Sequence, residues 1–165
     1  MIDPGPVLYI EDDENDVTFF KRALAGIQSR LPLQVICDGQ SAWDFLTGQG
    51  STSRPQRPSL ILLDLKLPRK SGLEILASLK QHDELRKVPV IVMTSSRERS
   101  DIARAYELGA DFYMVKRVDI AALRELAEAV QAFWEAVVGD PDHSGSDPSL
   151  SRLRRLSEPA EPASV

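Results

Sequence analysis

Five short apolar runs, each closed by a polar side chain and each followed by a segment of helical periodicity, constrain this chain more than any other feature. The plainest is Leu60-Ile61-Leu62-Leu63-Asp64, preceded by Pro58. An unbroken apolar run of this length fits a strand buried on both faces, as in a parallel sheet covered by helices. Residues 7–10, 33–37, 88–93 and 112–115 read as its companions. Between them Val17, Phe20, Leu24 and Ile27, then Ala42, Phe45 and Leu46, then Leu73, Leu76 and Leu79, then Ile102, Ala105 and Leu108 recur at helical spacing. Gly109 stands where a helix C-cap is needed, and Asp119 where a last long helix needs an N-cap. Strict alternation of strand and helix implies right-handed βαβ units, so the expected fold class is α/β, a doubly wound parallel sheet of five strands with helices on both faces.

The 165 residues, 42% hydrophobic and 27% charged, suffice for one domain with a sizeable core. Twenty basic against twenty-five acidic side chains leave a net charge of -5, which argues against nucleic acid or an anionic membrane as partner. No apolar run approaches the roughly 18 residues of a membrane span. The start lacks a signal-peptide pattern, and Cys37 has no second cysteine to pair with, so a reducing cytoplasm is expected. The domain is expected to fill residues 1–138. Residues 139–165, rich in Pro and Ser and without an aromatic side chain, read as a disordered tail. One alternative stands inside that tail. Leu150, Leu153 and Leu156 fall three apart beside Arg152, Arg154 and Arg155, a pattern that suits a short docking helix.

Parallel strands end at one edge of their sheet, and in open α/β sheets that edge forms the ligand crevice. The polar residues at the strand exits therefore form a set: Asp12 and Asp13 after the first, Asp64 after the third, Thr94 after the fourth, Lys116 after the fifth. Three carboxylates in one crevice repel one another unless a cation is present, and hard oxygen donors suit Mg²⁺. An ammonium and a hydroxyl facing them supply donors for an anion, and a phosphoryl group is the guest that all these groups share. Taken singly, each acid could merely cap a helix or solvate a loop. A glycine-rich phosphate loop is absent, and His82 and His143 sit in unrelated contexts.

The motifs Glu11-Asp12-Asp13, Leu62-Leu63-Asp64-Leu65-Lys66-Leu67-Pro68, Met93-Thr94-Ser95 and Tyr113-Met114-Val115-Lys116 together resemble the receiver domain of two-component response regulators. The resemblance runs from Val7 to about Val138. It is nearest to stand-alone regulators of the phytochrome-associated kind, whose last helix ends in an aromatic segment similar to Ala132-Phe133-Trp134-Glu135. It implies a flavodoxin-like sheet of strand order 2-1-3-4-5, with Asp64 accepting a phosphoryl group from a sensor histidine kinase. Asp13 and Asp64 would bind Mg²⁺ directly, Asp12 through water, and the main-chain carbonyl of Lys66 would complete the protein ligands. Thr94 and Lys116 would contact the phosphoryl group, and Tyr113 would turn inward as Thr94 moves, altering a face built from the fourth helix, fifth strand and fifth helix. Lys66 and Ser96 would flank the attacking water. The family usually carries Pro after the lysine, often with a cis bond, where this chain has Arg117. A cis bond without proline costs about 2.5–4 kcal/mol, so a trans bond is expected there, with Arg117 exposed; a second cation near the phosphoryl group is the alternative for that side chain.

Ile120, Leu123, Ala127, Val130, Trp134 and Val137 mark an apolar stripe on the last helix, which at ~1.5 Å per residue runs longer than a small sheet needs. Its end is a candidate homodimer surface with Phe133 and Trp134 as anchors; burial against the domain's own loops is the alternative. The function expected is a phosphoacceptor that signals by protein contact and is not an enzyme in its own right. A receiver-like module working without phosphorylation is one rival. An aspartyl-nucleophile phosphatase is the other, though that class usually has a second acid where this chain has Lys66.

Overall fold

The computed structural model describes residues 4–49, 56–139 and 148–159. Five strands, β1 (Val7–Ile10), β2 (Leu33–Ile36), β3 (Leu60–Leu63), β4 (Val90–Thr94) and β5 (Phe112–Val115), form one parallel sheet of order β2-β1-β3-β4-β5. The expected fold class and strand order are both present. Helices α1 (Glu14–Gly26), α2 (Gly39–Thr47), α3 (Gly72–Gln81), α4 (Arg99–Glu107) and α5 (Ile120–Gly139) alternate with the strands.

Alternation along each strand splits the core in two, because successive side chains point to opposite faces. Val7, Tyr9, Leu60, Leu62, Ile91, Met93, Phe112 and Met114 meet Phe20 and Leu24 of α1 and Leu126, Val130 and Phe133 of α5. Leu8, Ile10, Ile61, Leu63, Val92 and Tyr113 meet Ala42 and Leu46 of α2, Ile75, Leu76 and Leu79 of α3, and Ala105 of α4. With both faces covered, β1, β3, β4 and β5 are buried at every position, which is why they read as unbroken apolar runs. β2 is an edge strand and only partly buried.

The helix ends are chemically explicit. Ser71 and Glu74 form a reciprocal capping box at α3. Asp38 caps α2, accepting from the Ser41 amide at 2.8 Å and the Ser41 hydroxyl at 2.6 Å. These donors hold its carboxyl below the usual carboxylate range. Asp119 accepts from the Ala121 amide at 2.7 Å, and Gly109 adopts φ 101 just beyond α4.

Three features correct the expectations. Phe133 is buried in the chain's own core, packed edge-on against Phe112 with ring centroids 5.6 Å apart, and so is no free interface anchor. Trp134 is half-buried, and its indole N–H donates to Ser59 Oγ at 3.1 Å. Burial against the domain's own loops is the alternative the structure adopts. The disordered tail is corrected for residues 148–159, where α6 (Pro148–Leu156) buries Leu150 and Leu153 in the α1–α5 layer. Pro148 opens it at a position that requires no amide donor. The remainder of the expected tail, 140–147 and 160–165, lies outside the described residues.

Candidate functional site

The C-terminal ends of the strands are tied together by backbone hydrogen bonds, and this sets the side chains beyond them. The Glu11 amide donates to the Ile36 carbonyl at 3.1 Å, the Asp64 amide to Ile10 at 3.0 Å, and the Lys116 amide to Thr94 at 2.8 Å. Each polar residue is thus one step past the apolar ladder and still held by it. The loop after Asp64 is fixed by glycines. A Cβ on Gly72 would lie 2.1 Å from the Asp64 carbonyl oxygen, and one on Gly39 would lie 1.8 Å from that of Lys70, so neither position tolerates a side chain without rearrangement.

Glu11, Asp12 and Asp64 bring carboxylate oxygens within 4.8 Å of one another. Lys116 Nζ lies 2.6 Å from Glu11 Oε2, 2.8 Å from Asp16 Oδ2 and 3.3 Å from Asp64 Oδ2. A single ammonium therefore serves three of the four acids gathered here. Burial pushes the Glu11 carboxyl up to about 7, the neighbouring Asp64 charge adds to the rise, and Lys116 pulls against both. For Lys116, burial alone would favour the neutral amine, but Asp16, Glu11 and Asp64 outweigh it and raise its pKa above the ordinary lysine value.

Asp13 departs from its expected place. Its carboxylate caps α1, accepting from the Asn15 amide at 2.8 Å and the Asp16 amide at 3.3 Å, and it is exposed. Glu11 takes the position in the cluster that was expected of Asp13. The reason is local: a carboxylate one residue before a helix satisfies orphan amides, whereas the first residue past β1 still follows the strand into the crevice. The sequence held that signal, since Asp13 precedes Glu14 and Asp16 as an N-cap precedes an acidic first turn. Asp16 carried no such signal, because its partner Lys116 is a hundred residues away in the chain.

The other expected residues are at the same edge. Thr94 is fully buried, with its hydroxyl 3.4 Å from the Ser96 amide that donates to it. The Lys66 amide donates to Asp64 Oδ1 at 3.4 Å. Tyr113 is buried and faces inward, its hydroxyl donating to the Ser96 carbonyl at 3.0 Å. Ser96 Oγ in turn bonds Asp101 Oδ2 at 2.5 Å. No peptide bond among the described residues is cis, so Lys116–Arg117 is trans, and Arg117 is exposed.

A divalent cation fits these residues. The cluster offers hard oxygen donors, and Glu11 Oε2 is shielded from solvent without a hydrogen bond of acceptable geometry. Three closely spaced carboxylates, those of Glu11 and Asp64 buried against a single ammonium and that of Asp12 exposed, are an arrangement that a cation relieves.

Residues 7–128 match the profile of the response regulator receiver domain family. The chain is 35% identical to the response regulator Rcp1 of Synechocystis sp., over 84% of this chain and 94% of that one. It is similar to the crystal structure of the Mn(2+)-bound form of Rcp1, with a TM-score of 0.72, 35% identity and coverage of 79% of this chain and 94% of that chain. It is equally similar in fold to the phosphorylated cyanobacterial phytochrome response regulator RcpA, with a TM-score of 0.72, 32% identity and coverage of 81% and 96%. The chain belongs to the response regulator receiver family.

Proposed function

We infer that this chain is a phosphoacceptor switch in which Asp64 receives a phosphoryl group from the phosphohistidine of a sensor histidine kinase. The observation that carries the reading is the convergence of Lys116 and the Glu11–Asp12–Asp64 cluster on one edge of the sheet. An Asp64 carboxylate oxygen forms the new bond to phosphorus, the phosphorus–nitrogen bond breaks, and the kinase histidine keeps the electron pair and is protonated. Lys116 places a positive charge 3.3 Å from the accepting carboxylate, where negative charge accumulates during transfer. Thr94 supplies a hydroxyl at the same edge for a phosphoryl oxygen. Glu11, Asp12 and Asp64 would hold Mg²⁺, with Asp13 removed from the expected ligand set and the Lys66 carbonyl kept in it. When bound, such a cation offsets the repulsion between carboxylate and phosphoryl oxygens.

The product is a signal rather than a released metabolite. Its readout is assigned to the face made by α4, β5 and α5, where Tyr113 links the acceptor edge to the surface. The description of RcpA as a phytochrome response regulator supports a phytochrome-type kinase as donor, and the cytoplasm is the location this reading proposes. Among the described residues no helix is long and apolar enough to cross a membrane.

One observation favours a second reading, a receiver that acts without phosphorylation. Tyr113 already occupies the inward position expected to follow phosphorylation. Intact mass after incubation with Mg²⁺ and a small acyl phosphate separates the two. The expected result is one added phosphoryl group, labile to hydroxylamine and absent from Asp64→Asn. An unchanged mass with Mg²⁺ binding demonstrated supports the second reading.

A further inference from the structure

The output face assigned above carries an occupant. The Glu158 amide donates to the Tyr113 carbonyl at 2.8 Å, and the Tyr113 amide donates to Ser157 Oγ at 2.9 Å. Ser157 Oγ also lies 3.2 Å from the Tyr113 carbonyl and 2.8 Å from the Tyr106 hydroxyl. That hydroxyl donates to the Glu158 carbonyl at 2.6 Å. β5 is the last strand of the sheet, so its outer edge presents amides and carbonyls that need partners, and residues 157 and 158 supply them at Tyr113. Behind them, α6 buries Leu150 and Leu153 in the α5 layer, and Arg152 pairs with Glu128 of α5 at 3.3 Å. The segment therefore touches all three elements of the face: Tyr106 on α4, Tyr113 on β5 and Glu128 on α5.

We propose that residues 148–158 are a built-in occupant of the α4-β5-α5 face, docked in cis, which a signalling partner must displace. The proposal rests on the reading of that face as the output surface, but the occupancy itself is independent of phosphorylation. The docking is strong enough to matter and local enough to reverse. Two buried leucines anchor the helix, whereas the contacts at Ser157 and Glu158 are neutral hydrogen bonds at a strand edge, individually weak. The partner it excludes shares its chemistry: a leucine-faced helix continued by an extended step that can pair with β5, which is strand addition joined to helix-in-groove docking. Tyr113 serves both sites, its backbone holding the segment and its side chain reaching Ser96, so displacement at one is linked to the arrangement at the other.

The test uses full-length chains and a fluorescent synthetic peptide of residues 148–159. A tethered segment acts at an effective concentration on the order of millimolar, so micromolar peptide should not enter the wild-type face, whereas Leu153→Asp should bind it at least about tenfold more tightly. Amide exchange at Tyr113 and Glu158 should quicken at least about tenfold in Leu153→Asp. Should that variant fail to fold, Ser157→Ala combined with Tyr106→Phe leaves the leucines in place and should raise exchange at the same two amides. Equal peptide binding by wild type and variant, or unchanged exchange at both amides, overturns the proposal. A wild-type dimer whose segments cross between copies overturns the cis assignment. Mass analysis for the Asp64 phosphoryl group on the same samples separates the two readings: occupancy without phosphorylation sinks only the function, and phosphorylation without occupancy sinks only this proposal.

Discussion

The acidic edge and the outer side of β5 are joined by four residues of one strand, yet they are held by opposite kinds of force. At the edge, Glu11, Asp16 and Asp64 crowd around Lys116 with Asp12 beside them, and burial makes the charges of Glu11 and Asp64 costly. At the outer side, Leu150 and Leu153 are buried among apolar neighbours, and the strand's open amide and carbonyl meet neutral partners. The first region is electrostatically incomplete and suits a cation. The second is self-satisfied and changes only if something competes for it. The function and the docking proposed above use both: a site that gains energy from a ligand, and a surface whose covering can be exchanged.

The contrast is sharpened most by removing the shared ammonium. Lys116→Ala leaves Glu11 and Asp64 buried without their counter-charge, so the metal-free chain should lose about 3 kcal/mol of stability and accept phosphoryl far more slowly. Denaturant unfolding with and without Mg²⁺ checks this, and Mg²⁺ should restore part of the loss. If stability is unchanged, the pocket is not under the electrostatic load described.

Leu153→Ala should cost up to about 3 kcal/mol, but only to the extent that α6 stays docked; once it detaches, the loss is capped at the docking energy. Exchange should then quicken at Tyr113 and leave the β1 and β3 amides protected. A global loss of protection would show that the segment is part of the domain's cooperative core and not a removable cover.

The pH response separates the regions further. Glu11 has its carboxyl raised from an ordinary 4.5 to about 7, so the folded chain binds a proton there that the unfolded chain has released. Its contribution is therefore fully present below pH 4.5 and is lost as pH rises through 7, the reverse of the usual carboxylate. Thermal unfolding of the chelator-treated chain should show this decline across that window, and Glu11→Gln should flatten it. The α6 contacts are made by leucines, hydroxyls, amides and the partly exposed Arg152–Glu128 pair, all away from Glu11, and should not follow that titration.

The smallest effect is expected away from both regions. Ser71→Ala removes half of the α3 capping box and should cost about 1 kcal/mol without altering metal binding or exchange at Tyr113. A change in either would mean that α3 is coupled to the pocket through the Gly72 contact.

Much of the architecture was legible because burial on two faces leaves a direct mark on composition. Leu60–Leu63 could be read as a central strand from its apolar run alone, and Asp64, Thr94 and Lys116 could be placed at one edge because parallel strands end together. Asp119 and Gly109 were legible as caps, since capping is a property of a few adjacent residues. The division of labour between Glu11 and Asp13 was less visible. It depends on where β1 ends and α1 begins, a matter of one residue in a run of four acidic side chains.

The sequence by itself determined the order of strands and helices, the two apolar layers and the edge at which Asp64, Thr94 and Lys116 gather, because these follow from local periodicity and from chain topology. Only the tertiary structure decided that Asp16 shares Lys116, that Phe133 faces inward and that residues 148–158 cover β5. Each of these is a choice between burial and solvent made by residues distant in the chain. Leu150, Leu153 and Leu156 have the same spacing whether they dock or remain in water, and the docked helix is stabilised by α5 and by the open edge at Tyr113, neither of which is written in the segment itself.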